Sequence, residues 1–303
     1  MNAKLRTTVM PSMALVVLWS SGFVGAELGT REAPASILLA WRYVIAAAIL
    51  IAVCLWRRER FSRDAIRRQV VLGLLCQAGY LGFIVGGVGL GVSAGTASLV
   101  AAIQPLAVVA LAAAFLSERA RVAQLVGLAL GLAGVLLVVS GDLSAGDTPW
   151  WAYTLPLAGM LCLSAGTVLQ QRWDPPESVL VALTIQTSTA AVAFWAMALV
   201  AGTTGAATPP AFWVAVAWFV VLSSFGGYGS YVYVTRTQGA TRASTLLYLT
   251  PPTTMLWAAA MFGDRVHAAG LAGLGLSAVG VVLALRSTAR SRNEADVGES
   301  LLR

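Results

Sequence analysis

The stretch ASILLAWRYVIAAAILIAVCLW, residues 35–56, decides the fold class of this protein. A helix rises about 1.5 Å per residue, so about 20 apolar residues cross the roughly 30 Å of hydrocarbon in a bilayer. Backbone N–H and C=O groups find no water there and must pair within the chain, which leaves a helix as the structure of such a segment. Residues 35–56 therefore predict a membrane-spanning helix.

Nine further apolar stretches of similar length fill most of the 303-residue chain. They cover residues 11–28, 69–91, 94–116, 121–140, 151–171, 178–201, 211–235, 241–262 and 267–286. With 58% hydrophobic and 11% charged residues, the composition excludes an ordinary soluble domain. The sequence predicts an all-α, polytopic membrane protein with ten transmembrane helices.

The distribution of positive charge along the chain indicates membrane topology and not a ligand-binding site. The formal net charge is +7, but one set of alternate loops holds only Arg31 and Arg265, and Arg42 lies inside a span. The other basic residues gather in the opposite loops and near both ends, most densely as Arg57, Arg58, Arg60, Arg63, Arg67 and Arg68. By the positive-inside rule both termini lie in the cytoplasm. No nucleic-acid partner is expected, and the polar tail at 287–303 is expected to be disordered.

Two halves of the chain resemble each other at an offset of 146 residues. Residues 123–137 and 269–283 agree at eight of fifteen positions, and Pro105 falls on Pro251. Because each half holds five spans, the second copy enters the membrane inverted, a common plan for transporters that bind substrate near the midplane. We predict a first repeat at 1–142 and a second at 143–286. The alternative is an inverted duplication that serves a channel or an inert scaffold.

Polar and aromatic residues concentrate in the first four spans of each half, which predicts a central cavity between them. Gln77 and Tyr80 recur at helical spacing in the third span, and Tyr228 and Tyr231 in the eighth. Rings combined with hydroxyl and amide groups suit a site that accepts an apolar side chain and orients a polar head. Hydrogen bonding between helices is the alternative role. The candidate lining residues are Trp19, Ser20, Gln77, Tyr80, Ser164, Tyr228 and Tyr231.

Prolines interrupt the fourth and ninth spans at matching places, as Pro105 and as Pro251-Pro252. A proline inside a helix removes one backbone hydrogen bond and clashes with the carbonyl four residues back. This predicts free carbonyls at Ala101 and Tyr248, which only protein or a water-filled cavity can satisfy at membrane depth. We expect the prolines to act as hinges and the Tyr248 carbonyl to help bind substrate. Static packing kinks are the alternative.

Arg42 is the one charge well inside a span, about 10 Å from its outer end. A charge at this depth is costly and usually faces a partner in the bundle interior. The first interpretation is a structural ion pair with Glu27, at the outer end of the first span. The second is binding of a substrate carboxylate.

The sequence contains few residues that could serve in catalysis or bind a cofactor. Lys4 is the one lysine and His267 the one histidine, which excludes a P-loop, a Schiff base and a zinc site of paired histidines. Cys54, Cys76 and Cys162 lie within spans and imply no disulfide framework. The sequence predicts neither an enzyme nor a metal or cofactor site.

The motifs Leu18-Trp19-Ser20-Ser21-Gly22-Phe23, Arg42-Tyr43 and Pro105…Glu118-Arg119 together resemble the EamA-type drug/metabolite transporter superfamily. The resemblance runs over residues 10–286 and points to its YddG-like branch of amino-acid exporters. It implies export of aromatic and other neutral amino acids, and of toxic organic cations. This chain departs from the family pattern at Asp264, because the family commonly has glutamate at that position. The cavity residues that the resemblance implies are Trp19, Tyr80, Gln104, Ser164 and Tyr228.

We expect a secondary transporter or facilitator that exports small amphipathic metabolites, above all amino acids, across the bacterial inner membrane by alternating access. The predicted partners are the small-molecule substrate and the lipid bilayer, with no obligatory protein partner. A multidrug exporter of planar organic cations on the same fold is the alternative. A non-transporting scaffold and an intramembrane enzyme are weaker ones.

Overall fold

A computed structural model describes residues 9–115, 122–145, 148–206, 208–238, 243, 246–264, 267–280 and 282–283. The α-helices are α1 (Met10–Thr30), α2 (Ala35–Arg57), α3 (Arg63–Gly73), α4 (Tyr80–Gly89), α5 (Ala94–Ala102), α6 (Gln104–Phe115), α7 (Val122–Ala145), α8 (Thr154–Trp173), α9 (Val179–Val200), α10 (Pro210–Trp218), α11 (Tyr228–Gln238), α12 (Thr250–Phe262) and α13 (Ala268–Gly280). Two π-helical segments, Leu74–Gly79 and Phe219–Gly227, join α3 to α4 and α10 to α11. Short 3₁₀ turns cover Trp150–Tyr153 and Thr203–Gly205.

Eight helical stretches in the described part of the chain are long and apolar enough to cross a membrane. They are Met10–Thr30, Ala35–Arg57, Arg63–Gly89, Ala94–Ala112, Leu125–Asp142, Trp150–Trp173, Val179–Val200 and Pro210–Thr235. The helices α12 and α13 fall inside the ninth and tenth predicted spans but are shorter among the described residues. The structure is thus all-helical across the described ranges. The count of ten spans and the cytoplasmic placement of both termini stay predictions.

Local sequence sets where the helices begin and end. The hydroxyls of Ser62, Ser93 and Ser178 accept hydrogen bonds from the first-turn backbone N–H groups of α3, α5 and α9, which satisfies donors that a helix leaves unpaired. Gly263 ends α12 at φ 75°, in the left-handed region that glycine adopts without strain. These caps fix short loops between antiparallel neighbours.

The helices bury a core and turn a second apolar surface outward. The largest buried cluster joins α1, α2, α4 and α9 with the segment 212–220, and includes Phe23, Leu38, Val85, Phe194 and Phe219. Large apolar residues face outward on α7, α9 and α12, among them Leu136, Val192 and Leu256. Apolar surface on both sides of a helix is typical of a bundle in lipid.

The helices α7 and α13 pack against each other through glycines, with reciprocal contacts. A Cβ on Gly280 would stand 2.5 Å from the carbonyl oxygen of Gly127, and one on Gly134 would stand 2.5 Å from that of Gly273. Gly127 and Gly273, like Gly134 and Gly280, are related by the offset of 146 residues. Such mutual contacts between equivalent residues are what a two-fold axis produces.

The two π-helical segments obey the same offset. Leu74–Gly79 corresponds to residues 220–225, which lie within Phe219–Gly227. The first segment and α4 pack on α8, while the second packs on α1. Both relationships support the interpretation of two repeats. The predicted boundary after residue 142 lies within the last turn of α7, which runs to Ala145. The predicted tail at 287–303 and the motif residues Glu118, Arg119 and Arg265 lie outside the described residues.

Candidate functional site

An aromatic group forms where α1 meets α11. The ring centroids of Trp19 and Tyr231 lie 5.6 Å apart, and those of Tyr228 and Tyr231 lie 6.4 Å apart. All three side chains are partly exposed. Trp19 and Tyr231 also pack against a small buried cluster that contains Leu15 and Val234. The structure thus brings together three of the residues that the sequence predicted as cavity lining.

A second polar group lies between α2, the first π-helical segment and α4. The Tyr43 hydroxyl donates to Oε1 of Gln77 at 2.8 Å, and the Tyr43 ring lies 5.3 Å from that of Phe194. Gln77 keeps its amide hydrogens for another acceptor, since the structure shows no bond from Nε2 within the described ranges. Tyr80 packs against the largest core cluster and is partly exposed. Gln77 is thereby held with its donor end available.

The predicted ion pair between Arg42 and Glu27 is wrong. Oε1 of Glu27 accepts from Nη2 of Arg31 at 2.6 Å, one turn along the same helix. Arg42 is 7% exposed and instead donates from Nη2 to the Ser224 hydroxyl at 3.3 Å. Sequence alone favoured Glu27 because it was the nearest acid by depth, but its Oε1 pairs with Arg31 four residues along the helix.

The third group surrounds the break in the fourth span. Nε2 of Gln104 donates to the Thr167 hydroxyl at 3.3 Å, and the fully buried Ser164 hydroxyl forms a long bond of 3.5 Å to the Gln104 carbonyl. Tyr248 packs on a cluster that includes Val100 and Met160. The substrate-binding role of these residues stays a prediction.

The proline breaks are sharper than kinks. A new helix begins at Gln104 and another at Thr250, so Pro105 and Pro251 stand in a first turn, where a missing N–H costs little. The Ile103 N–H ends the first half of the span with a bond to the Val100 carbonyl at 3.3 Å, and the free carbonyl at Ala101 stays a prediction. Pro252 follows within the same first turn.

The carbonyl just before each proline lies close to a serine hydroxyl of another helix. The buried Ser20 and Ser164 hydroxyls donate within their own helices, to the Val16 carbonyl at 2.7 Å and to the Met160 carbonyl at 2.8 Å. Ser20 of α1 also stands 3.4 Å from the Thr250 carbonyl oxygen, and Ser164 of α8 stands 3.5 Å from that of Gln104, as secondary contacts. Gln104 and Thr250 are equivalent at the 146-residue offset, and α1 and α8 are equivalent spans of the two halves. A pattern search could not find these secondary contacts, since they join distant helices.

A polar cavity of about 170 Å³ lies at the end of the bundle that the predicted topology places outside. Asp142, Asp264 and His267 line it, and the Asp142 carboxylate accepts from Ser93 at 3.2 Å and from Thr96 at 2.5 Å. Burial raises the pKa of the Asp264 carboxyl; Arg31 opposes the rise and Asp142 adds to it. None of the predicted lining residues contributes to this cavity. These bonds tie α5 to α7 at the outer end.

The described ranges hold no group of three or more His, Cys, Asp or Glu residues that could bind a metal. Cys54 shares a hydrogen bond of 3.1 Å with Thr184 on α9, and Cys76 and Cys162 are free thiols. These thiols act as packing groups between helices.

The comparisons with known proteins agree with this architecture. The profile of the EamA-like transporter family matches twice, at residues 8–140 and 150–286. The chain belongs to the EamA-like transporter family. It is a multi-pass transporter of the bacterial inner membrane.

Several relatives and one solved structure are similar to this EamA-like transporter over most of its length. The uncharacterized inner membrane transporter YedA of Escherichia coli is 25% identical over 89% of this chain and 88% of its own. A probable terminal-alkyne amino-acid exporter of Streptantibioticus cattleyicolor is 29% identical over 96% and 98%. A probable amino-acid metabolite efflux pump of Salmonella typhimurium is 27% identical over 53% and 52%. A crystal structure with 23% identity, covering 93% and 97%, has a TM-score of 0.63 and shows the fold alone.

Proposed function

We propose that this EamA-like transporter exports small amphipathic amino acids, aromatic and other neutral ones, by alternating access between two inverted repeats. The observation that carries the proposal is the ring group of Trp19, Tyr228 and Tyr231. It joins a helix of the first predicted repeat to one of the second, where a substrate between the halves would lie. Aromatic rings there accept an apolar side chain.

In this proposal, two polar groups supply the other half of an amino-acid site. Gln77 presents its amide hydrogens, and Gln104 and Ser164 lie together at the break of the fourth span. A zwitterion needs both donors and acceptors once water is removed from it. The relatives named as an amino-acid metabolite efflux pump and a terminal-alkyne amino-acid exporter support the same class of cargo.

We propose that the two broken spans are the moving parts. Pro105 and Pro251 each stand at the start of a half-helix, and at each break a serine hydroxyl of a neighbouring helix lies 3.4 or 3.5 Å from the carbonyl before the proline. Both hydroxyls donate within their own helices, so these long contacts hold the breaks weakly and can separate as the halves rock, with both termini in the cytoplasm and five spans in each half. The Asp142 bonds to Ser93 and Thr96 would close the outer end in the state observed.

Export of planar organic cations is the rival that the same rings favour, since cations bind over aromatic faces. Arg42 argues against it. The guanidinium lies buried without an acidic partner in the described part of the chain, and its charge repels a cation in a medium of low dielectric. An amino acid brings a carboxylate and avoids this repulsion.

Efflux from loaded proteoliposomes tests the proposal. Vesicles that hold the purified protein and labelled phenylalanine or threonine are expected to lose label faster than protein-free vesicles. Ethidium release measured in parallel tests the rival. Ethidium flux without amino-acid flux would show an exporter of organic cations instead. The absence of both fluxes would indicate a non-transporting scaffold.

A further inference from the structure

Arg42 lies deep in the bundle with half of its hydrogen-bonding capacity unused. The side chain is 7% exposed and stands seven residues, about 10 Å, from the outer end of α2. Its Nη2 donates to the Ser224 hydroxyl at 3.3 Å. Its Nη1 is buried and has no hydrogen-bond partner among the residues that the structure describes. Arginine offers five donors in a fixed fork, so the unpartnered nitrogen is a recognition element held ready.

The surroundings of Arg42 stabilise the guanidinium only in part. Its central carbon lies 4.3 Å from the centre of the Phe219 ring and 5.2 Å from that of Tyr43. These are cation–π contacts, and Ser224 adds one neutral acceptor. Neither type of contact cancels a full charge. A buried charge in a membrane protein normally faces a counter-charge.

Within the described residues, the chain itself offers no counter-charge to Arg42. The ion pairs found there are Arg31 with Glu27 at 2.6 Å and Arg68 with Glu177 at 2.7 Å. Glu27 is the acid nearest in depth and is held by Arg31. A bound molecule with a carboxylate would supply the missing negative charge.

The donors linked to Arg42 through Tyr43 suit an anion with oxygen atoms. The Tyr43 ring lies 5.2 Å from the Arg42 guanidinium carbon, and its hydroxyl donates to Oε1 of Gln77, which leaves the Gln77 amide hydrogens for an acceptor. Tyr80 follows Gln77 by three residues, at the start of α4. A carboxylate accepts from a guanidinium fork and from hydroxyl or amide donors at the same time.

We propose that Arg42 binds the carboxylate of the transported molecule, with Gln77 and Ser224 beside it. The inference rests on the proposed function and makes it more specific, because it requires cargo with a carboxylate and rejects an amine that lacks one. The π-helical segment places Ser224 against α2, so this subsite joins the first predicted repeat to the second.

Ligand pairs that differ only in the carboxylate test the inference. Binding of phenylalanine, phenylalaninamide and phenethylamine is measured on the purified full-length protein in nanodiscs. The wild type is expected to bind phenylalanine about 10–100-fold more tightly than the other two, the range of one charge-assisted hydrogen bond. Arg42→Gln is expected to remove this preference. Arg31→Gln is the matched control and should keep it, since Arg31 is exposed at the outer end.

Two further measurements separate the outcomes. Arg42→Lys keeps the charge without the fork and is expected to keep the preference with weaker binding, which covers the case in which Arg42→Gln does not fold. Equal wild-type affinity for phenylalanine and its amide would overturn the inference even if both are transported, and the transport proposal would stand. A wild type that neither binds nor moves phenylalanine, its amide or other neutral amino acids would overturn the proposed function itself.

Discussion

The Ser277 hydroxyl donates to the Gly131 carbonyl oxygen at 3.2 Å, and these two residues are each other's equivalents at the 146-residue offset. On either side of them, Gly127 contacts Gly280 and Gly134 contacts Gly273. An element that touches its own equivalent lies on the axis that relates the two copies. The contact of α7 with α13 is therefore the part of the bundle that holds the two predicted repeats in register.

Substitution of Gly134 by alanine is expected to weaken this contact. The added Cβ would collide with the Ser277 hydroxyl and with the Gly273 carbonyl oxygen, and backbone atoms cannot move aside without separating the helices. Overpacking of this kind costs about 1–3 kcal/mol. Thermal unfolding of the purified protein measures the loss.

Gly275→Ala on α13 is the control for that experiment. A Cβ at Gly275 meets nothing within 4 Å, and alanine favours a helix over glycine. We expect unchanged or slightly higher stability for Gly275→Ala. Equal melting temperatures for the two variants would show that α7 and α13 do not pack as observed.

Replacing Ser164 by alanine is expected to alter transport more than stability. The variant loses the 3.5 Å bond to the Gln104 carbonyl at the break of the fourth span. Interhelical bonds in membranes contribute about 0.6–1.7 kcal/mol, so folding should survive. If the break is a hinge, the rate of phenylalanine efflux changes several-fold. Ser230→Ala is the comparison, because its hydroxyl donates within its own helix, as that of Ser164 does to Met160, but contacts no carbonyl of another helix among the described residues; identical rates for both would make the break a static kink.

Asp264→Asn is expected to stabilise the protein at neutral pH. Burial raises the pKa of this carboxyl above its ordinary value of 3.8, so the folded state is favoured when Asp264 is protonated and loses stability as the pH rises through the raised pKa. Asparagine removes that loss. The melting temperature of the variant should exceed that of the wild type at pH 7, and the difference should shrink towards pH 4.

Glu32→Gln, in a neighbouring outer loop, controls for the removal of a negative charge from this side of the membrane. It should not show the same pH-dependent gain. If the gain in melting temperature of Asp264→Asn over the wild type grew as the pH fell, the pH dependence would be opposite to the one expected. That result would contradict the burial of Asp264.

Periodicity and length predicted the helical fold because lipid leaves the backbone few choices. The same rule fixed where most spans lie, and the 146-residue offset pointed to residues that the structure pairs, such as Gly134 with Gly273. The π-helical segments were not predictable. A π-helix, in which hydrogen bonds join residues five apart, leaves no recognisable pattern in an apolar stretch of sequence. It also changes which side chains share a face of the helix.

The candidate site was predictable in residue type but not in pairing. Trp19 and Tyr231, both predicted to line the cavity, lie 5.6 Å apart between ring centroids, but the sequence did not show that their two helices touch. Arg42 was recognised as costly at its depth, but its partner was not, because depth alone cannot show which helices touch. Glu27 pairs with Arg31, which lies one turn away on the same helix.

Efflux of labelled phenylalanine from proteoliposomes with Trp19→Ala is the most direct test of the central claim, that rings between the two halves hold the cargo. Losing one aromatic contact costs about 0.5–1.5 kcal/mol beyond its area, and we expect KM to rise at least about 10-fold. Trp150→Ala removes a tryptophan that is 72% exposed at a span end, and should leave KM unchanged. If the wild type transports phenylalanine and Trp19→Ala does so with the same KM, the claim is contradicted.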